Sequence, residues 1–72
     1  MKRRREINTG TAARIKARRL ELGITQEDLA ELIGRCEQSI RLYENGHLGV
    51  SPKMLEVLAA ALDTTAEYLG NG

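Results

Sequence analysis

A chain of 72 residues supports one small domain, because two domains sharing that length would each bury too little surface to stay folded. Its hydrophobic share of 42% and charged share of 29% exclude fibrous and disordered chains, and no apolar run approaches the roughly 18 residues of a membrane span. The net charge of +1 hides a lopsided distribution: Lys2, Arg3, Arg4, Arg5, Arg14, Lys16, Arg18 and Arg19 face Glu6 alone (+7), while Arg35, Arg41 and Lys53 face nine acids in the remainder (−6).

Residues 1–10 end in Asn8-Thr9-Gly10 after a charged run and read as a flexible basic arm. A first helix is expected from Thr11 to about Leu22, with Ala12, Ala13, Ile15, Leu20 and Leu22 inward, a basic polar face, and Gly23 as its stop. Thr25 stands as N-cap of a second helix, with Asp28 completing a shortened capping box; Leu29, Ala30, Leu32 and Ile33 follow at helical spacing up to Gly34. A third helix is expected from Cys36 or Glu37 to about Glu44, with Ile40 and Tyr43 inward. After the loop Asn45 to Val50, Ser51-Pro52 opens a fourth helix whose apolar face is Met54, Leu55, Leu58, Ala59 and Leu62. Asp63 tolerates the exit, Thr65 caps a last short helix through Leu69, and residues 71–72 form a frayed tail. The expectation is an all-α, compact five-helix domain over residues 11–70 with a central helix-turn-helix at about 25–44. Without Phe or Trp, its core falls to Leu, Ile, Ala, Met and the rings of Tyr43 and Tyr68, and packing at this size supplies about 3 to 5 kcal/mol.

Catalysis lacks parts. His47 is the only histidine and Cys36 the only cysteine, with no nucleophile, base or ligand set arranged around either, so no enzyme, metal or cofactor is expected. A lone cysteine also forms no internal disulfide, and the basic N-terminus lacks the apolar stretch of a secretory signal, which makes a reducing cytoplasm the expected home. The basic end suggests an anionic partner; for Lys2 to Arg5 the alternative is a merely solvated tail.

The stronger signal lies in residues 25–46. Two short helices joined at Gly34 must cross steeply, which leaves the second projecting. Along it Glu37, Gln38, Arg41 and Leu42 fall away from the Ile40/Tyr43 face, giving a carboxylate, an amide, a guanidinium and an apolar group. Base edges in the major groove accept such a set, although the same residues also fit a solvated helix face.

The runs Thr25-Gln26-Glu27-Asp28-Leu29-Ala30 and Gln38-Ser39-Ile40-Arg41-Leu42-Tyr43-Glu44-Asn45-Gly46 resemble the helix-turn-helix DNA-binding domain of the lambdoid phage repressor and Cro family, also called xenobiotic-response-element-like. The resemblance extends from about Ala13 to Asn71. It implies base contacts by Glu37, Gln38 and Leu42, with Arg41 reaching a phosphate or a base. It implies phosphate contacts by Gln26, by backbone amides of Asn45 and Gly46, and near His47, Gly49 and Lys53; Arg35, by its own chemistry, is expected to lay its stem over the core and direct its head to solvent or the DNA backbone. Arg19 and Glu44 match an internal salt bridge of relatives, and Tyr68 and Leu69 fall where relatives dimerise; for Tyr68 the alternative is simple closure of the core. This sequence departs from the family at Arg35, Cys36 and Asp63, where an apolar residue, Ser or Thr, and Gly or Asn are usual.

The expected function is therefore sequence-specific binding of double-stranded DNA by a bacterial or phage transcriptional repressor, acting as a homodimer on a near-palindromic operator. No membrane partner or small-molecule ligand is expected. Two alternatives differ in class: a protein-interaction module such as an antitoxin, and a non-specific nucleic-acid binder driven by the basic end.

Overall fold

A computed structural model describes residues 10–70; the expected tail and all of the expected arm but Gly10 lie outside them. The described residues form five helices and no strand: α1 (Thr11–Glu21), α2 (Gln26–Ile33), α3 (Glu37–Asn45), α4 (Pro52–Ala61) and α5 (Ala66–Gly70). Gly10, grouped with the arm on sequence, is the N-cap of α1, and its carbonyl accepts from the Arg14 amide. None of the helices is long and apolar enough to cross a membrane.

Short helices in water are marginal alone, so the starts and stops are built from local chemistry. Thr25 and Asp28 form a reciprocal capping box, each side chain receiving the other's amide at 3.0 and 2.9 Å. Ser51 accepts from the Met54 amide with Pro52 at the first helical position, and Thr65 accepts from the Tyr68 amide. Cys36 provides no such bond; its thiol sits 3.4 Å from the Ser39 hydroxyl instead.

Four helix ends share one device. After α1, α2, α3 and α4 a residue with positive φ reverses the chain, and the two amides that follow the last turn reach back to its carbonyls. Gly23, Gly34 and Gly46 hold three of these positions; at the fourth, Asp63 adopts φ 56°.

The core gathers Ile15 from α1, Leu29 and Ala30 from α2, Ile40 and Tyr43 from α3, and Met54, Leu58 and Ala59 from α4, closed by Leu62 and Leu69. Helix α3 packs against α1 and α2, α4 against α2 and α5, and α5 returns to α1.

Three sequence expectations about the inner faces are corrected. Leu20 is 57% exposed and Leu22 is also at the surface, because the inward stripe of α1 runs through Ile15 and Arg19 instead; Leu32 is 61% exposed because α2 turns Leu29 and Ala30 inward. Tyr68 lies outside the core with 43% of its surface exposed. Leu69, an expected dimer contact, is fully buried in its own domain and offers no surface to a second copy.

Candidate nucleic-acid interface

Helix α3 divides into two faces. Ile40 and Tyr43 anchor it in the core, while Glu37, Gln38 and Arg41 are exposed and Leu42 is half-buried. The spacing that sends 40 and 43 inward leaves 37, 38 and 41 outward, with an i,i+4 ion pair of 3.5 Å between Glu37 Oε2 and Arg41 Nη2.

Beneath this face lies a buried ion pair. Arg19 Nε donates to Glu44 Oε2 at 2.7 Å and Nη2 to Oε1 at 3.1 Å, while Nη1 donates to the Ile24 carbonyl at 2.9 Å. The two side chains are only 8% and 2% exposed, so a fork-to-fork geometry that fixes orientation is held in a low-dielectric setting. Gln26 Nε2 also donates to Glu44 Oε1, at 3.1 Å. The first residue of α2 is thereby fixed to the last turn of α3, and both are fixed to α1.

Of the residues expected near phosphates, Arg35, Asn45, His47 and Lys53 are exposed and Gln26 is half-buried. The expectation for backbone amides is corrected. Asn45 lies within the last turn of α3, and the Gly46 amide donates to the Tyr43 carbonyl at 3.2 Å. The His47 and Leu48 amides likewise both donate to the Leu42 carbonyl, at 3.0 and 3.3 Å. These amides close the helix and are not offered to an anion, so this end presents the Asn45 side chain and the His47 ring.

The basic face of α1 has other duties than its charge suggested. Arg18 Nε and Nη2 donate to the Leu62 and Asp63 carbonyls at 2.9 and 3.1 Å, and Nη1 pairs with Glu21 at 3.0 Å. This guanidinium neutralises the negative end of α4. Arg14 Nη1 donates to the Tyr68 carbonyl at 2.9 Å and its guanidinium carbon lies 5.1 Å from the ring centroid of Tyr68, a cation–π contact at the end of α5. Sequence reasoning missed both roles; the signal was the Arg14/Arg18 repeat beside Ile15 and Arg19 on one helical stripe.

Two groups have shifted acidity. The Thr25 amide, then the Thr25 side chain, hold the Asp28 carboxyl below its usual value, and the Ser39 side chain followed by its backbone lowers the Cys36 thiol. Among the described residues no group of three or more His, Cys, Asp or Glu side chains is arranged to hold a metal ion.

The helix-turn-helix family profile matches residues 15–69. The chain is similar to the DNA-binding domain of the P22 c2 repressor (residues 1–76 in solution) at 30% identity and a TM-score of 0.80, over 83% of this chain and 79% of that one. Against the P22 c2 repressor in complex with a synthetic operator the identity is 30% and the TM-score 0.79, over 85% and 92% of the two chains. A hypothetical transcription factor from Neisseria matches at 27% identity and a TM-score of 0.78, over 82% and 68%. The fold and the exposed third helix thus define a repressor-like helix-turn-helix domain. The chain belongs to the helix-turn-helix family of DNA-binding transcription regulators.

Proposed function

We propose that this chain reads a specific double-stranded DNA sequence and represses transcription, inserting α3 into the major groove and acting as a homodimer on a near-palindromic operator. The observation that carries the reading is the outer face of α3, where Glu37, Gln38 and Arg41 project from a helix whose other face is locked into the core. Gln38 supplies the bidentate pairing for adenine, Arg41 the pairing for guanine, Glu37 an acceptor for cytosine, and Leu42 a contact for a thymine methyl. Gln26, Arg35, the Asn45 side chain, His47 and Lys53 surround this face with groups able to meet phosphates and fix register. The similar P22 c2 repressor, crystallised with a synthetic operator, supports the choice of DNA as partner. The exposed Tyr68 ring remains the candidate contact between copies.

The charge of the folded body leaves the non-specific alternative to the basic residues that precede it. Residues 10–70 contain nine acids and seven Lys or Arg, and Arg14, Arg18 and Arg19 are engaged inside the domain. A body of this balance gains little from phosphate attraction alone, so its own residues favour contacts with bases.

Selection of bound duplexes from a random-sequence library at near-physiological salt tests the reading. Enrichment of an inverted repeat supports a dimeric sequence-specific regulator. DNA retained without enrichment sinks specificity and favours the basic end as a general binder, and no retention favours a protein partner.

A further inference from the structure

The Glu37–Arg41 pair on α3 bears on how the domain treats phosphates, resting on the proposed DNA reading. Glu37 is the first residue of α3 and Arg41 lies one turn later, with Glu37 Oε2 and Arg41 Nη2 3.5 Å apart and both side chains about half exposed. Among the described residues Arg41 has no other charged partner within ion-pair distance. Long helical side chains lean toward the N-terminus of their helix, so the guanidinium is drawn over the first turn, the part of a recognition helix that meets base edges.

A free arginine in this place would be pulled to the nearest phosphate. Paired with Glu37, the unit carries no net charge, which opposes that pull. A guanidinium has five N–H donors, and one edge suffices for the carboxylate; the rest can address the O6 and N7 acceptors of guanine. The other carboxylate oxygen of Glu37 can accept from the N4 amine of cytosine. We infer that Glu37 is the positioning residue for Arg41: it withholds the guanidinium from phosphates and presents it to bases, so that the two read a G·C-containing step as one unit.

Wild type, Arg41→Ala, Glu37→Gln and the double variant separate this role from a phosphate contact, with binding to the selected duplex titrated over a series of KCl concentrations. Both side chains are on the surface, and a thermal midpoint for each variant checks that folding is intact. With Glu37 present, Arg41→Ala should weaken binding by about 5- to 150-fold, as for loss of a bidentate base contact, and leave the slope of log K against log[salt] unchanged. In Glu37→Gln the freed arginine should steepen the slope by about 0.9, and adding Arg41→Ala should remove that increment. Base selection at the same step should relax in Glu37→Gln and in Arg41→Ala alike. An equal slope change on Arg41→Ala in both backgrounds, or none in either, overturns the pairing role while leaving sequence-selective binding intact. A wild-type chain that retains no duplex at any salt overturns the DNA reading itself.

Discussion

Arg19 in α1 and Glu44 in the last turn of α3 meet through two hydrogen bonds in the interior, 25 residues apart in sequence. Removing one partner strands the other charge out of water at a cost of about 3 to 5 kcal/mol, comparable with the whole stability of about 3 to 5 kcal/mol expected for a domain this small. Arg19→Met or Glu44→Leu alone should therefore leave a chain largely unfolded in urea titrations at 25 °C. The combined Arg19→Met/Glu44→Leu variant should recover part of the loss, and a double variant less stable than either single one would contradict the account.

The start of α3 can be strengthened. Cys36 makes no side-chain bond to the helix amides, and serine at an N-cap position is worth about 0.5 to 2 kcal/mol over a residue that does not cap. Cys36→Ser should raise the midpoint of denaturation, whereas the same measurement on Ser51→Ala should show a loss of similar size at α4.

The chain reversals respond to backbone geometry alone. Nothing lies within 4 Å of a methyl group built on Gly34 or Gly46, yet a left-handed conformation costs an L-residue about 1 to 2 kcal/mol. Gly34→Ala and Gly46→Ala should each destabilise by about that amount. Asp63→Gly should act in the opposite direction, by up to about 1 kcal/mol, since its φ of 56° suits glycine better.

Acid should loosen the capping box of α2. The Asp28 carboxyl lies below its usual 3.8 in the folded chain, so its contribution to stability is complete above that value and disappears as pH falls through the lower folded-state value. The stability gap between wild type and Asp28→Asn, measured by urea unfolding, should be constant at neutral pH and close progressively below pH 3.8. A gap unchanged throughout the acid range would dismiss the carboxylate as its source.

On a preferred duplex, Gln38→Ala should cost about 1 to 3 kcal/mol and relax one base position, while Lys53→Ala should weaken all sequences alike and lower the salt slope by about 1. Equal losses for Gln38→Ala on random and selected DNA would remove it from the set of base-reading residues.

The helix boundaries were legible in the sequence because their causes are local: Thr25 with Asp28, Ser51 with Pro52, and the glycines at 23, 34 and 46 act within a few residues. The outward face of α3 was legible for the same reason, since Ile40 and Tyr43 set its rotation. Side chains whose partners are distant were harder to read. Hydropathy places Leu20 and Leu22 inward and Arg18 outward, whereas a carbonyl 44 positions away draws Arg18 toward α4. Hydropathy alone also does not distinguish Tyr68 from Leu69 as the inward residue of a five-residue helix. The Gly46 amide was misassigned because a free turn and a closed helix end have the same sequence, Asn-Gly, and differ only in where the N–H points.

The Leu42 carbonyl, with the His47 and Leu48 amides converging on it, ties the segment after α3 to the helix itself. On DNA, groups addressed to bases and groups addressed to the sugar-phosphate rail would then travel as one rigid piece, like the jaws of a caliper locked at one opening. Such a gauge accepts a duplex only where the depth and width of the groove suit its setting. Stretches of identical base sequence held in differently bent or twisted DNA would be bound unequally, through the stiffness of a single turn of chain.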